Sequence, residues 1–181
     1  MKVLNVPNLL AFFRIGLAPL MLFFIIERES QLLSSIHYSW LDFFAATIFL
    51  IACITDFFDG YIARNFDQIT TLGKIIDPLA DKMLVLAAFI GLVMIDRANG
   101  WLIFLILTRE FFITGLRVMA ASEGISIAAS MLGKVKTIVQ MVAIGWLLLN
   151  LPFGNFVLLI ATVITLYSGY EYIIGYVKNN S

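Results

Sequence analysis

The chain has 181 residues, of which 61% are hydrophobic and 13% are charged, and its mean hydropathy is +0.98. An ordinary soluble domain is about half apolar and about a quarter charged, so a soluble protein of this size could not bury so much apolar surface. The formal net charge is zero, which argues against nucleic acid as a partner, and a single cysteine excludes a disulfide within the chain. The composition therefore predicts a protein embedded in a lipid bilayer.

Six apolar stretches are long enough to cross that bilayer, since a transmembrane helix needs roughly 20 residues. In chain order they cover about residues 7–26, 40–59, 77–95, 101–120, 130–149 and 152–170. The polar breaks between them are short, and we find no linker or low-complexity tract in the sequence. We therefore expect residues 1–181 to form a single all-α integral-membrane domain with six transmembrane helices.

The basic residues predict the orientation of these helices. With six spans both termini lie on one side of the membrane, and ten of the twelve basic residues fall on or near that side. Segments rich in Lys and Arg stay cytoplasmic, so we expect both termini there. The ten are Lys2, Arg14, Arg64, Lys74, Lys82, Arg109, Arg117, Lys134, Lys136 and Lys178, and the other two are Arg28 and Arg97.

Several ionisable residues are drawn to membrane depth at the cytoplasmic ends of the spans. Only 13 residues separate Lys82 from Asp96, too few to cross, so the third helix must begin before Asp77. Ionisable groups at such depth cost about 3 kcal/mol or more unless they are paired, hydrated or metal-bound, and they usually mark function. The second, fourth and fifth helices carry such residues at the same end. We expect them to converge on one polar, metal-binding cavity open to the cytoplasm.

Four aspartates at helical spacing lie at the second and third spans. Asp56 and Asp59 are three residues apart, so on a helix they share one face, and Asp77 with Asp81, four apart, does the same on the next helix. Brought together, four carboxylates would repel one another, and two hard cations such as Mg²⁺ or Mn²⁺ would resolve the repulsion. A two-metal site suits a pyrophosphate substrate. The competing interpretation is an ordinary salt-bridge cluster with nearby basic side chains.

The residues beside these acids predict a bulky anionic ligand. Gly60 and Ala63 would let a ligand approach the helix backbone closely, and Arg64 could bind its phosphate.

The full pattern is D-x-x-D-G-x-x-A-R, eight residues, then G-x-x-x-D-x-x-x-D. It resembles the signature of the CDP-alcohol phosphotransferases, and every fixed position matches. The resemblance implies that the four aspartates bind two divalent cations and that Asp81 is also the catalytic base for the acceptor hydroxyl. It implies a six-helix fold and a homodimer. It assigns the CDP moiety to Gly60, Ala63, Arg64 and Gly73.

A second group of cations predicts a pocket for the acceptor. Arg109 and Arg117 are eight residues apart, about 80° around a helix, so both can face one cavity, and Lys134 can join them. Two arginines and a lysine are a good receptor for a dianionic phosphate. Lys136 points to the opposite side of its helix and is expected to snorkel to lipid headgroups, and Glu110 is expected to pair with an arginine.

Three flanking segments, residues 5–8, 108–117 and 133–137, resemble the bacterial branch of the family whose acceptor is glycerol 3-phosphate. This implies a multi-pass protein of the bacterial inner membrane, with its active site on the cytoplasmic side. Asn8 is expected either to cap the first helix or to contact the nucleotide of the CDP-lipid. Arg14 is expected either to snorkel or to approach the donor's phosphates.

The expected reaction transfers the phosphatidyl group of CDP-diacylglycerol to glycerol 3-phosphate in phospholipid biosynthesis and releases CMP. Inositol phosphate, serine or another alcohol as acceptor would keep the same chemistry. A divalent-cation transporter is the alternative from a different class. A transporter should carry polar groups through the whole membrane depth, whereas the outer halves of these spans are largely apolar, with Asp42 as the main exception.

Overall fold

The computed structural model of the protein describes residues 5–29, 37–65, 70–122 and 131–180. Within these ranges the side chains of residues 29, 59–65, 71–72, 74–75, 121 and 178–180 lie outside the description.

The described residues form an all-α structure without a β-strand, so the predicted fold class is confirmed. A 3₁₀ turn, Glu27–Glu29, follows the first helix. The described residues form six α-helices, which are α1 (Val6–Ile26), α2 (Tyr38–Asn65), α3 (Thr71–Met94), α4 (Gly100–Ser122), α5 (Met131–Leu148) and α6 (Gly154–Asn180).

Four segments of these helices are long and apolar enough to cross a membrane: Val6–Ile26, Tyr38–Phe58, Met131–Leu148 and Gly154–Val177. The other two helices, α3 and α4, are also long enough, at 24 and 23 residues, but they carry groups of ionisable residues, in the first half of α3 and from the middle of α4 onward. Such residues reduce the mean hydropathy of a helix without preventing it from crossing when they face protein or a polar cavity. Six crossings therefore remain a prediction.

The helices extend further than the predicted spans around the aspartate motif. The polar break expected at residues 60–76 is helical up to Asn65 and again from Thr71. Thr70 starts α3 as its N-cap, with its hydroxyl accepting a hydrogen bond from the Gly73 N–H at 2.9 Å. Polarity marks where a helix leaves the apolar phase, but the backbone hydrogen bonds continue beyond that point.

Two compact units divide the chain. The first comprises Met1–Asp96 with Leu148–Asn150, and in it α1 packs against both α2 and α3. Gly91 allows a close approach there, because a Cβ at this position would lie 2.8 Å from Cγ2 of Ile25. Buried residues of this unit include Ala11, Ala18, Met21, Ala52, Ala88, Phe89 and Leu92.

The second unit comprises Arg97–Leu147 with Leu151–Ser181, and in it α4 packs against α6. A hydrogen bond connects the start of α4 to the start of α6, since Asn155 Oδ1 accepts from the Asn99 N–H at 2.9 Å. Its buried apolar residues include Ile103, Ile106, Ile113, Ala143, Ile144, Leu158 and Ala161. That residues 1–181 form a single domain stays a prediction.

Candidate active site

The motif aspartates lie on two helices of the first unit. Asp56 and Asp59 belong to α2, and Asp77 and Asp81 belong to α3. The side chains of Asp56, Asp77 and Asp81 are described and are neither fully buried nor fully exposed. The predicted side-chain roles of Asp59, Gly60, Ala63 and Arg64 lie outside the described residues.

Arg14 of α1 forms an ion pair with Asp56 through its Nη1 nitrogen. The arginine side chain is 0% exposed, whereas the aspartate is 36% exposed. A buried guanidinium requires an anionic partner, so the pair explains how α1 tolerates an arginine in an apolar helix. The snorkelling alternative for Arg14 is therefore wrong, because its charge is held inside the protein.

Asp77 and Asp81 of α3 lie within electrostatic range of Arg14 or of Cys53 beside Asp56. The positive charge of Arg14 acts on Asp77. Asp81 in turn acts on Cys53, which lies one turn before Asp56 on α2. The described motif aspartates Asp56, Asp77 and Asp81 thus lie near one another's charged surroundings within the first unit.

Asp77 presents a carboxylate oxygen that fits a divalent cation. Its Oδ1 atom is buried and accepts no hydrogen bond from the residues that the structure describes. Leaving such an acceptor unsatisfied costs about 1–3 kcal/mol or more, and a bound cation would remove that cost. Oxygen atoms of carboxylates are the ligands that Mg²⁺ and Mn²⁺ prefer. The donor chemistry of Asp77 therefore fits the predicted metal.

The described side chains do not include the complete set of four carboxylates that was predicted to bind metal. Among the described side chains, no group of three or more His, Cys, Asp or Glu residues is placed to hold a metal ion. One of the four predicted ligands, Asp59, has no described side chain. The four-aspartate ligand set therefore stays a prediction.

Asn8 connects the start of α1 to the start of α3. Its side chain is buried and its Oδ1 accepts a hydrogen bond from the Thr70 hydroxyl at 3.1 Å. Asn5, not Asn8, caps α1, since Asn5 Oδ1 accepts from the Asn8 N–H at 3.0 Å. The capping alternative for Asn8 is thus wrong, and a contact with the nucleotide stays a prediction.

Gly73 lies against this connection and close to Asp77. A Cβ at Gly73 would be 2.7 Å from Asn8 Oδ1, 3.1 Å from Thr70 Oγ1 and 3.6 Å from Asp77 Oδ2. The absent side chain is therefore a packing requirement of the first unit. The CDP contact that the resemblance implies for Gly73 stays a prediction.

A polar cluster of the second unit surrounds Glu110. Its Oε1 accepts hydrogen bonds from Lys136 Nζ at 2.6 Å, Arg109 Nη1 at 3.2 Å and Gln140 Nε2 at 3.5 Å. The expected pairing of Glu110 with an arginine is confirmed. The glutamate also joins α4 to α5, because Lys136 and Gln140 belong to the latter helix.

The snorkelling prediction for Lys136 is wrong. Its side chain is 12% exposed and ends in the ion pair with Glu110. The helical geometry behind the prediction holds, since Lys134 and Lys136 point to different sides and Lys134 is exposed. Lys136 instead meets the Glu110 carboxylate, whose side chain is 19% exposed.

Arg109 and Arg117 of α4 each contact α6. Arg109 Nη2 donates a hydrogen bond to the Ser168 hydroxyl at 3.0 Å. The guanidinium carbon of Arg117 lies 5.5 Å from the centre of the Tyr172 ring, within the range of a cation–π interaction. Arg117 is also close enough to act electrostatically on Arg109. That Lys134 joins the two arginines at a common ligand stays a prediction.

The residues of α6 that meet these cations or Gln140 were not identified as site residues from the sequence. Thr165, Ser168, Gly169 and Tyr172 follow an i, i+3, i+4, i+7 spacing inside the last apolar span. Three of them carry polar groups, and that periodicity within an apolar helix is the signal that could have identified them.

Comparisons with known proteins place these features in one family. Residues 4–167 match the family model described as CDP-alcohol phosphatidyltransferase. The chain is 39% identical over 184 residues to a Bacillus subtilis protein, covering 93% of each. A Rickettsia typhi protein is 38% identical over 179 residues (93% of this chain, 94% of the relative), and an Escherichia coli K12 protein is 37% identical over 180 residues (93% of each). All three relatives are named CDP-diacylglycerol--glycerol-3-phosphate 3-phosphatidyltransferase.

Proposed function

The chain belongs to the CDP-alcohol phosphatidyltransferase family, and we propose that it transfers the phosphatidyl group of CDP-diacylglycerol to glycerol 3-phosphate. The products are phosphatidylglycerol phosphate and CMP. The observation that carries the proposal is the likeness, over 93% of the chain, to relatives whose names state this reaction. The aspartate motif and the basic residues of α4 and α5 support it.

The first unit would bind the CDP-lipid. The family is in general dependent on divalent cations, and the buried, unsatisfied oxygen of Asp77 fits such an ion. The four motif aspartates would hold two of them, Mg²⁺ or Mn²⁺, which when bound neutralise the pyrophosphate and polarise its phosphorus–oxygen bonds. The residues proposed to bind the CDP-lipid are Asn8, Gly60, Ala63, Arg64 and Gly73.

Asp81 is the proposed base. One of its carboxylate oxygens takes the proton from the primary hydroxyl of the acceptor. The acceptor oxygen then bonds to the β-phosphorus of CDP-diacylglycerol, while the bond from that phosphorus to the bridging oxygen breaks. CMP leaves with the electron pair of the broken bond, and the proton stays on Asp81. Positioning and charge neutralisation supply most of the rate in phosphoryl chemistry of this kind.

The second unit would bind the phosphate of glycerol 3-phosphate through Arg109, Arg117 and Lys134. Glu110 neutralises Lys136 at 2.6 Å and takes one hydrogen bond from Arg109. The cluster of Arg109, Lys136 and Glu110 therefore keeps a net positive charge. With the exposed cations Arg117 and Lys134 it gives this unit the charge that a dianionic phosphate requires.

The apolar helices and the proposed substrates also indicate the cellular location of the protein. The four apolar helical segments support a membrane protein, and its proposed substrates meet where a diacyl lipid and a soluble phosphate are both available. We place it in the bacterial inner membrane, with the termini and the active site on the cytoplasmic face, because ten of the twelve basic residues are predicted on or near the same side as the termini and such segments stay cytoplasmic. We also propose that each chain forms one domain and that two chains form a homodimer.

The test is a turnover assay on the purified full-length protein in detergent. CMP release is followed with CDP-diacylglycerol, Mg²⁺ or Mn²⁺, and a panel of glycerol 3-phosphate, inositol phosphate, serine and glycerol. Asp77→Asn and an EDTA sample are run beside the wild type, and Asp96→Asn, an exposed loop aspartate, is the matched control.

We expect CMP only with glycerol 3-phosphate, and its loss with EDTA and in Asp77→Asn but not in Asp96→Asn. Release with another acceptor instead would overturn the acceptor assignment and keep the transfer chemistry. Folded protein that releases no CMP with any acceptor would exclude the proposed transferase activity.

A further inference from the structure

One face of α6 is polar although the helix is an apolar membrane span. Thr165, Ser168, Gly169 and Tyr172 lie on this face, and all four are buried. Gln140 of α5 donates a hydrogen bond to the Thr165 hydroxyl at 2.8 Å. Polar side chains in membrane helices usually face protein and bond across helices. We call Thr165, Ser168, Gly169 and Tyr172 the α6 stripe.

The middle of the α6 stripe receives Arg109. The Ser168 hydroxyl accepts from Nη2 of this arginine at 3.0 Å, while Glu110 accepts from Nη1 at 3.2 Å. The backbone of Gly169 lies against the same side chain, because a Cβ at this glycine would be 3.0 Å from both Cγ and Nε of Arg109. The guanidinium is thus held at both terminal nitrogens and packed along its stem. Each terminal nitrogen carries a second N–H, which can donate a hydrogen bond to a ligand.

The end of the α6 stripe receives Arg117 through an aromatic face. The Tyr172 side chain is 7% exposed, and its hydroxyl is buried without a hydrogen-bond partner among the described residues. The ring itself, 5.5 Å from the Arg117 guanidinium carbon, is therefore the part of Tyr172 that meets the cation.

We infer that the α6 stripe is a positioning surface that fixes the direction of Arg109 and Arg117 and so sets the affinity for the acceptor's phosphate. The inference rests on the proposed function, since it assigns these arginines to that phosphate. Ser168 and Gly169 position Arg109, and Tyr172 positions Arg117 with its ring. A planar guanidinium binds phosphate well only in the correct orientation, which gives a positioning surface its effect.

The experiment measures the CMP release of Ser168→Ala, Gly169→Ala, Tyr172→Leu and Tyr172→Phe against the concentration of each substrate. Gly175→Ala is the matched control, because it makes the same change on the same helix where a Cβ meets no atom within 4 Å. Calorimetric titration with glycerol 3-phosphate and a thermal unfolding curve accompany every variant.

We expect Gly169→Ala and Tyr172→Leu to raise the KM for glycerol 3-phosphate roughly tenfold, with the KM for CDP-diacylglycerol changed less than about twofold, because misplacing a binding group costs affinity for its own ligand. Ser168→Ala should raise it less, since the Glu110 contact remains. Tyr172→Phe keeps an aromatic face and should restore the KM that Tyr172→Leu raises.

Three results would overturn the inference. The first is an unchanged KM for glycerol 3-phosphate in both Gly169→Ala and Tyr172→Leu. The second is equal losses for both substrates that follow a lowered unfolding temperature. The third is an equal effect of Gly175→Ala. A wild type that binds glycerol 3-phosphate without releasing CMP would instead sink the proposed function, and the variants' Kd values would then decide the role of the α6 stripe.

Discussion

Arg14 and Asp56, which lie 42 residues apart in the sequence, form an ion pair in which the arginine side chain is completely buried. The pair joins α1 to the first aspartate of the motif. It also means that this carboxylate has a fixed cation of the protein beside it before any metal binds. The stability of the first unit and the chemistry of its acids are therefore coupled through one contact.

A double-mutant cycle on Arg14→Met and Asp56→Asn should measure this coupling. Asp56→Asn should cost roughly 2–4 kcal/mol of unfolding free energy, because it removes the carboxylate that is paired with a completely buried guanidinium. Arg14→Met should cost less, since the aspartate is 36% exposed and water can screen it. We expect an interaction energy of about 1–3 kcal/mol, measured by denaturant unfolding in micelles with EDTA.

The pair of Arg28 and Asp42 is the control for that cycle. Its atoms are 3.8 Å apart, a longer contact between two side chains that are both largely buried. We expect a smaller interaction energy there. Additive effects of Arg14→Met and Asp56→Asn would mean that the ion pair contributes nothing.

Gly73→Ala should disturb the connection between α1 and α3. The new Cβ would fall 2.7 Å from Asn8 Oδ1 and 3.1 Å from Thr70 Oγ1, so one of these side chains must move. Overpacking of this kind costs about 1–3 kcal/mol. Because Asp77 lies one helical turn further along α3, we also expect CMP release to fall by roughly tenfold or more.

Gly16→Ala on α1 is the matched control for Gly73→Ala, since nothing lies within 4 Å of its Cβ. It should stabilise the helix slightly, by about 0.5–1 kcal/mol. Unfolding temperature and turnover are measured for both variants. Equal behaviour of the two would show that the space at Gly73 is not required.

Asp77→Asn should separate metal binding from stability. In EDTA the variant should be as stable as the wild type or more stable, because it removes the negative charge of a carboxylate whose Oδ1 is buried without a hydrogen bond among the described residues. On addition of Mg²⁺ or Mn²⁺ the wild type should gain stability by mass action, and Asp77→Asn should gain much less. Thermal unfolding across a metal titration checks this, with Asp96→Asn expected to respond as the wild type does. An equal metal response in Asp77→Asn would remove Asp77 from the ligand set.

Much of this architecture could be predicted from the sequence. Apolar length locates helices well, because crossing a bilayer fixes how many residues a span needs, and α1 and α5 begin within one residue of their predicted starts. The aspartate spacing predicted acids on helices, and Asp56 and Asp77 lie on α2 and α3. Glu110 was expected to pair with an arginine, and it does so at 3.2 Å.

The partners of buried charges were less predictable. Arg14 pairs with an aspartate of another helix and Lys136 with a glutamate of another helix, whereas both were candidates for snorkelling. Helical periodicity gives the direction in which a side chain points but not what a neighbouring helix presents there. The same limit hid Ser168 and Gly169, whose roles depend on the path of the Arg109 side chain.

The ion pair between Glu110 and Lys136 should stabilise the second unit. Glu110→Gln leaves Lys136 and Arg109 without their shared anion at sites where the two side chains are 12% and 10% exposed, so it should lower the unfolding free energy by roughly 2–4 kcal/mol. Lys136→Met removes one of three donors to Glu110 and should cost less. The double variant should be more stable than Glu110→Gln alone, because it also removes the largely buried ammonium group that has lost its ion pair with Glu110. Greater loss in the double variant would contradict the ion pair.

The same two lysines should differ in their effect on the acceptor. The Lys136 charge is already compensated by Glu110 at 2.6 Å, whereas Lys134 is exposed. A charge-assisted hydrogen bond to a phosphate contributes about 1.5–3 kcal/mol, so Lys134→Met should raise the KM for glycerol 3-phosphate roughly tenfold or more. Lys136→Met should raise it less, although it removes the same charge from the same helix. Initial rates of CMP release at fixed ionic strength compare the two, and a larger effect of Lys136→Met would make Lys136 the phosphate-binding residue in place of Lys134.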